Sequence, residues 1–209
     1  EELGCKKKNC FVDCDCDRWL EIWNLVFTQF DRDPSGKLNP LPQKNIDTGM
    51  GLERLATVLQ GKNSCYQTDL FAPVINFTKE IIGNGKNISE KTLRIIADHT
   101  RSITFLIGDG VIPSNEGRGY VLRRILRRAL RQGKISGKNE PFLYILTGKV
   151  IEIMKSAYPE LLKVRNHIAT VTKMEEEKFL QTLETGSEIL ENIIKDLKKK
   201  GKNTVPGKE

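Results

Sequence analysis

Long apolar stretches are missing from this sequence of 209 residues. Hydrophobic residues make up 38% of the chain, and no apolar run reaches the roughly 20 residues that a membrane-spanning helix needs. The opening residues do not resemble a secretory signal peptide. We therefore expect a cytoplasmic protein that has no membrane partner.

Acidic residues are outnumbered by basic ones, and histidines are scarce. The chain has 34 lysines and arginines against 27 aspartates and glutamates, which gives a net charge of +7. This excess favours a polyanionic partner without identifying it. His99 and His167 are the two histidines, and a lone histidine on a helix, such as His99, is more often structural than catalytic.

Arginine is abundant in residues 113–131, where turn-forming residues lead into a helical pattern. Apolar residues between Val121 and Leu130 recur at helical spacing and predict one buried face. Arginines fill the other face, and Glu116 is the nearest counter-charge in the sequence. Because like charges four residues apart repel by a few tenths of a kcal/mol, this pattern favours phosphate binding over a solvated or internally paired helix. The predicted nucleic-acid contacts are Arg118, Arg123, Arg124, Arg127, Arg128 and Arg131.

Four of the five cysteines lie close together near the start of the sequence, with the spacing C-x4-C-x3-C-x-C. Four thiolates in a short loop can form a tetrahedral zinc site. The spacing is not one of the common zinc signatures, and the alternative is a reduced surface loop whose cysteines are incidental. The predicted zinc ligands are Cys5, Cys10, Cys14 and Cys16.

Two segments with strand character follow the cysteines. Residues 18–30 alternate like a strand buried on both faces, and the amide of Asn24 inside this run needs partners that a ligand or a turn would supply. Residues 37–44 are expected to form an irregular connector. Residues 45–60 predict a short strand, a Gly-Met-Gly junction and an amphipathic helix. This junction lets a ligand approach the backbone, although a simple tight turn would give the same pattern.

Four strings of the sequence, taken in order, resemble the alanyl-tRNA synthetase family. They are LEIWNLVF at 20–27, NIDTGMGLER at 45–54, IADHTRS at 96–102 and PSNEGRGYVLRR at 113–124. The second string resembles motif 3 of the class II synthetases. The resemblance extends from about residue 18 to about residue 190.

The resemblance implies an α+β fold. Residues 1–60 would be a remnant of the antiparallel sheet of a class II catalytic domain, and residues 61–209 would form a mostly helical tRNA-recognition domain. Periodicity within the second part predicts four helices besides the arginine helix. These are Asp69–Ile82, Glu90–Leu106 with Ser89 as its N-cap, 141–157, and Leu162–Lys200 with an irregularity at Gly186.

The activity implied by the resemblance is ATP-dependent activation of alanine, with Mg²⁺, followed by transfer to tRNA(Ala). In the family pattern, the positions of Asn24 and Asp47 hold the amino acid. Val26 would line the pocket for the methyl group, and Gly49 would leave room for the substrate. The positions expected to face ATP and its magnesium ion are Arg54, Gly51 and Glu21.

Recognition of tRNA is implied by two further positions. Asn115 matches the asparagine that reads a G·U pair in the acceptor stem, and Glu191 is a second, weaker candidate contact. Motifs 1 and 2 of the class II enzymes and the His–Cys cluster of the editing domain are missing, so we interpret the chain as an internal fragment. The alternatives are a non-catalytic RNA-binding module and, on charge alone, a DNA-binding protein.

Overall fold

The computed structural model describes residues 4–5, 7–8, 10–12, 14, 16, 18–83, 88–201, 204–205 and 207. Contacts divide the chain into two compact units, Glu1–Leu70 and Phe71–Glu209. The first unit contains a two-stranded antiparallel sheet, and the second is helical. The predicted α+β fold is therefore confirmed.

A β-hairpin forms most of the first unit. Strand β1, Trp23–Arg32, pairs with β2, Leu38–Met50, and the register shifts once between Thr28 and Phe30. The Asp33 carboxylate holds the connecting turn, because it accepts hydrogen bonds from the backbone N–H groups of Ser35 and Lys37 at 2.9 and 3.0 Å. The Ser35 hydroxyl and these N–H groups lower the pKa of Asp33.

Two expectations for this hairpin are wrong. Residues 38–44 belong to β2 rather than to an irregular connector. Proline is compatible with this strand because each strand of a two-stranded sheet has a free edge that requires no N–H donor. Strand β1 is not buried on both faces, since Val26 is 50% and Phe27 is 66% exposed. No described residue of the first unit forms a second layer over the hairpin.

Helix α1, Leu52–Leu59, begins directly after β2. The second unit contains α2 Ala72–Gly83, α3 Glu90–Gly108, α4 Gly117–Ile135, α5 Leu143–Met154, α6 Glu160–Lys163 and α7 Arg165–Lys199. The predicted cap of α3 is confirmed, because the Ser89 hydroxyl accepts from the Thr92 N–H at 3.2 Å. The irregularity predicted at Gly186 is wrong. Helix α7 continues through it, since a single glycine costs only about 1 kcal/mol in a long helix.

The core of the second unit lies where α3, α4, α5 and α7 pack together. Helix α4 contributes its predicted apolar stripe, with Leu122, Leu126, Ala129 and Leu130 fully buried. Val121 departs from the prediction, because its side chain is 53% exposed. The buried stripe fixes the rotation of α4 and directs its arginines away from the core. No helix among the described residues is long and apolar enough to span a membrane.

A buried carboxylate joins α7 to the start of α5. Glu176 is fully buried, and its Oε1 accepts from the N–H groups of Phe142 and Leu143, both at 2.8 Å. Its Oε2 accepts from Tyr144 N–H at 3.1 Å. These bonds satisfy N–H groups that the first turn of a helix otherwise leaves without partners. Burial raises the pKa of Glu176 to about 7, and the three N–H groups oppose that rise.

Candidate amino-acid site and nucleic-acid interface

One face of the hairpin gathers the residues predicted to hold the amino acid. Asn24 pairs with Gly49 and Val26 pairs with Asp47 in the sheet register. Cross-strand partners and residues two apart point to the same side of a sheet. The four predicted positions therefore share one face, and a missing side chain at Gly49 leaves space opposite Asn24.

A shallow cleft of about 400 Å³ lies on this face. The Thr48 side chain alternates with those of Asp47 and Gly49 and supports the cleft from the opposite face: its hydroxyl accepts from the Trp23 indole at 2.5 Å and donates to the Asn24 backbone carbonyl at 3.1 Å. Val26 lies on the same face but outside this cleft. The lining residues are Glu21, Asn24, Asp47, Thr48, Gly49 and Met50. A carboxylate and an amide in one small cleft can bind an ammonium group.

Arg54 lies at the junction between the hairpin and α1. Its guanidinium donates to the Glu21 carbonyl at 2.8 Å and lies 4.0 Å from the Glu21 carboxylate. Gly51 is the N-cap of α1, and a Cβ placed there would lie only 3.1 Å from the Arg54 side chain. The three residues predicted to face ATP, Glu21, Gly51 and Arg54, are thus neighbours, and the Arg54 side chain remains half exposed.

The four clustered cysteines meet in space. All four Sγ atoms lie within 4.8 Å of one another, with Cys5 and Cys14 at 3.6 Å and Cys10 and Cys16 at 3.5 Å. A zinc ion with bonds of about 2.3 Å to four sulfurs in a tetrahedron separates those sulfurs by about 3.8 Å. The residues present therefore fit a structural zinc ion.

The thiols of this cluster differ in acidity. Backbone N–H groups of Arg18 and Cys5 lower the pKa of Cys16 to about 6. Hydrogen bonding with Cys5 and Cys16 raises the pKa of Cys14 to about 12. A thiolate at Cys16 is the form that binds a metal ion, so the cluster can begin metal binding near neutral pH.

In the second unit, the loop before α4 carries Asn115. The Asn115 side-chain oxygen accepts a hydrogen bond from the Arg123 guanidinium, which reaches back from the second turn of the helix. The loop lies close against α4, since a Cβ on Gly119 would be 2.3 Å from the Ile112 carbonyl oxygen and 2.4 Å from Ser114 Oγ. Gly119 therefore permits the approach that places Asn115 at the start of the arginine face.

Arg127 differs from the other predicted phosphate ligands. Its Nε donates to Glu175 Oε1 at 2.7 Å, its Nη2 lies 2.7 Å from the same oxygen, and its guanidinium lies 4.9 Å from the centre of the Phe179 ring. Glu175 comes from α7 and is mostly buried. Within the part of the chain that the structure describes, the remaining exposed arginines make no ion pair: Arg118, Arg124, Arg128 and Arg131.

A cleft of about 510 Å³, which we call the basic cleft, opens beside these arginines, where α3, α4 and α7 meet. Arginine side chains form its charged wall, and Tyr120, Phe179, Val121 and Ile125 supply its apolar surface. His99 from α3 also lines it. The arginines involved are Arg124, Arg127, Arg128 and Arg131. A concave surface with convergent cations and aromatic rings suits a nucleotide unit.

Sequence reasoning missed several residues of these sites. Phe179 and Glu175 reach the cleft from α7, and their distance in sequence from α4 gave no signal. Tyr120 lies one turn before Arg123 and Arg124, and its ring is 5.6 and 5.8 Å from their guanidinium carbons. The position of an aromatic residue one helical turn before two arginines could have predicted that Tyr120 belongs to the site. Glu191 is exposed on α7 and does not line this cleft.

Segments of known proteins are similar to this chain over its whole length. The sequence profile of the family described as tRNA synthetases class II (A) matches residues 1–209. Alanine–tRNA ligase of Endomicrobium trichonymphae is 57% identical over 212 residues, which cover 100% of this chain and 24% of that protein. The alanine–tRNA ligases of Elusimicrobium minutum and Carboxydothermus hydrogenoformans are 53% and 52% identical over 99% of the chain and 24% of each protein.

The chain therefore spans about a quarter of the length of the curated relatives that it matches. The match includes both units, from the cysteine cluster through the hairpin to the helices. It confirms the resemblance expected from the four sequence strings, and this chain belongs to the alanyl family of class II tRNA synthetases.

Proposed function

We propose that the protein containing this chain is an alanine–tRNA ligase, and that the helical unit binds the acceptor stem of tRNA(Ala). The single observation that carries the proposal is the arginine face of α4 with Asn115 at its start. The names of the relatives support the same activity. The partners would be alanine, ATP and tRNA.

In this proposal, the hairpin contributes to alanine activation. The alanine carboxylate attacks the α-phosphorus of ATP, alanyl-adenylate forms and pyrophosphate leaves; a hydroxyl of the terminal tRNA ribose then attacks the carbonyl and AMP leaves. Asp47 would pair with the ammonium group, Asn24 would position the amino acid, and Arg54 would contact ATP. Mg²⁺ would neutralise phosphate charge when ATP is bound, and Glu21 is the proposed contact on its side.

The hairpin alone is a weak alanine site. Asp47 and Val26 are exposed, and an exposed ion pair contributes only about 0–1 kcal/mol. A methyl pocket must also exclude water before it discriminates between substrates, and even then a methylene is worth only about 1–3 kcal/mol. We therefore expect no alanine activation by this chain on its own. Its function in isolation would be RNA binding.

Asn115 is the proposed reader of the base pair. An amide oxygen has two lone pairs, and the nitrogen has two hydrogens. Arg123 occupies one lone pair and fixes the side chain, so one lone pair and both hydrogens remain for base edges. The wide, shallow minor groove of an RNA helix admits such a short side chain, and a G·U pair exposes its guanine amino group there.

The exposed arginines are the proposed backbone contacts. Arginine forks match phosphate oxygens, and phosphate contacts set position while base contacts set specificity. Arg118 and Arg131 lie at opposite ends of α4, 13 residues apart, which corresponds to about 20 Å along a helix axis. That length spans several phosphates of an acceptor stem.

The cysteine cluster is proposed to hold a structural zinc ion. Cys5, Cys10, Cys14 and Cys16 would supply all four ligands, and a closed shell of thiolates leaves no open position for catalysis. The ion would link four cysteines that lie up to 11 positions apart in the sequence. Metal binding contributes directly to folding in such small sites.

Binding of RNA stem-loops that differ only at one base pair, G·U or G·C, tests the proposal. Asn115→Ala should remove the preference for G·U, a loss of about 1–3 kcal/mol in discrimination. Arg128→Ala should weaken both stems equally and reduce the slope of log K against log salt by about 1. Arg128 is a better probe than Arg127, because Arg127 also pairs with the mostly buried Glu175.

A matched substitution completes the design. Lys173→Ala changes an exposed cation on α7 that lies outside the basic cleft, and both stems should bind to it as to the unchanged chain. Equal discrimination by a folded Asn115→Ala variant would make Asn115 a structural turn residue. Loss of G·U preference in Arg128→Ala would contradict the division between positioning and reading.

A further inference from the structure

The His99 side chain contacts the Asp98 carboxylate and lines the basic cleft. Its Nδ1 lies 2.9 Å from Asp98 Oδ2, and its side chain is 13% exposed. Its Nε2 is buried, and no hydrogen-bond partner reaches this atom among the described residues. The same side chain lines the cleft beside Arg124, Arg128 and Arg131. A buried polar atom without a partner costs free energy, so its persistence at a cleft points to a ligand.

The contact with Asp98 determines what His99 offers to that ligand. A carboxylate only accepts hydrogen bonds, so Nδ1 carries the hydrogen in this contact. In the neutral imidazole the other nitrogen then has a lone pair, and Nε2 is an acceptor. The arginines around the cleft are donors only. The cleft therefore combines several donors with one acceptor at a defined position.

The ligand must complement all three features of the cleft. It needs an anion for the guanidinium groups, an apolar or aromatic surface for Tyr120 and Phe179, and a hydrogen-bond donor for His99 Nε2. A phosphodiester by itself has no donor and would leave Nε2 unsatisfied. A ribose has a 2′-hydroxyl that donates, and deoxyribose lacks this group. A ribose with its phosphate and base supplies every element in one unit.

We propose that this cleft binds one ribose–phosphate unit of an RNA, with His99 Nε2 accepting a hydrogen bond from the ribose 2′-hydroxyl. Arg124, Arg128 and Arg131 contact the flanking phosphates, and Asp98 is a positioning residue that fixes the imidazole tautomer. The proposal rests on the RNA binding proposed above and adds a site that distinguishes RNA from DNA. It is separate from Asn115, which reads a base pair.

A scan of single 2′-deoxy substitutions through an RNA acceptor stem-loop tests this inference. With the full chain, one position should bind about 2- to 13-fold more weakly when its hydroxyl is removed, the effect of one neutral hydrogen bond. His99→Phe should bind the all-ribose stem more weakly by a similar factor. It should also become insensitive to deoxy substitution at that position, because the partner of the hydroxyl is gone.

Two further variants test whether the effect depends on a hydrogen-bond acceptor at position 99. His99→Gln offers an amide oxygen as an acceptor and should keep most of the sensitivity at that position. His167→Phe makes the same change as His99→Phe at an exposed histidine on α7 outside the cleft. It should reproduce the scan of the unchanged chain. Thermal melting by circular dichroism verifies that each variant is folded.

The outcomes separate the two proposals. If the unchanged chain binds RNA but its deoxy scan is flat, the His99 inference is overturned and the RNA-binding function stands. The same conclusion follows if a folded His99→Phe variant keeps the full sensitivity at the critical position. If the unchanged chain does not bind the stem-loop at all, the proposed RNA-binding function itself fails. The deoxy scan of the unchanged chain tests the inference without any variant. The test therefore still holds if His99→Phe does not fold.

Discussion

Glu176 should make the free energy of unfolding of the helical unit depend on pH between about 4.5 and 7. Most carboxylates are already ionised over most of this range in both the folded and the unfolded chain. Its pKa is about 7 in the folded chain, raised by burial, against 4.5 as the ordinary value. Between these values the folded chain holds a proton that the unfolded chain releases. Stability is therefore fully present below about pH 4.5 and is lost as the pH rises through 7.

The size of this effect follows from the two pKa values. Each pKa unit corresponds to 1.36 kcal/mol, so ionising Glu176 costs about 3 kcal/mol of unfolding free energy between pH 4.5 and pH 7.5. Glu176→Gln cannot ionise and should lose this dependence. At pH 5 the variant should also be about 1–3 kcal/mol less stable than the unchanged chain, because its amide nitrogen faces the Tyr144 N–H, which Oε2 accepts from.

Urea unfolding at several pH values between 4.5 and 7.5 measures both quantities. Far-ultraviolet circular dichroism should be the probe, because six of the seven described α-helices belong to the second unit, whereas both tryptophans, Trp19 and Trp23, belong to the first. Glu184→Gln, an exposed glutamate on the same helix, should follow the unchanged chain within about 0.5 kcal/mol. Parallel curves for the unchanged chain and Glu176→Gln would refute the reasoning.

Two further predictions concern the cysteine cluster and the loop before α4. Protein purified without added metal should contain close to one zinc per chain by elemental analysis, and four freely titratable thiols without zinc would contradict this. Gly119→Ala should destabilise the chain by about 1–3 kcal/mol and reduce G·U discrimination, because a Cβ would push against Ile112 and move Asn115. Gly186→Ala meets no atom and should stabilise α7 by up to about 1 kcal/mol in thermal melts; equal effects of the two glycine changes would contradict the packing argument.

Local signals predicted the local structure well. Ser89 was recognised as an N-cap because capping depends on residues three apart in sequence, and the buried stripe of α4 followed from helical spacing. The strings around Asn24 and Asp47 predicted a shared site, and the hairpin register brings them to one face. These features are encoded within a few residues or within one pair of neighbouring strands.

Features that depend on distant packing were not predictable. Glu176 lies 34 residues after Phe142, and its sequence neighbours resemble those of any charged helix. The prediction that β1 is buried on both faces followed correctly from its composition, but burial depends on what covers the sheet. In the first unit no described layer covers it. The apolar composition of β1 therefore predicts a buried strand, but the described residues of this chain leave the strand exposed.

The arginine face illustrates how packing divides residues that the sequence treats alike. Arg127 occupies the centre of the face, and its pair with Glu175 connects α4 to α7. Removing Arg127 would leave the mostly buried Glu175 carboxylate without its partner and destabilise the fold, so Arg127 has a structural role that the exposed arginines lack. Arg127 also lines the cleft, together with His99 and Phe179. Arg124 and Arg128 are exposed and make no ion pair among the described residues, so they remain available to a ligand.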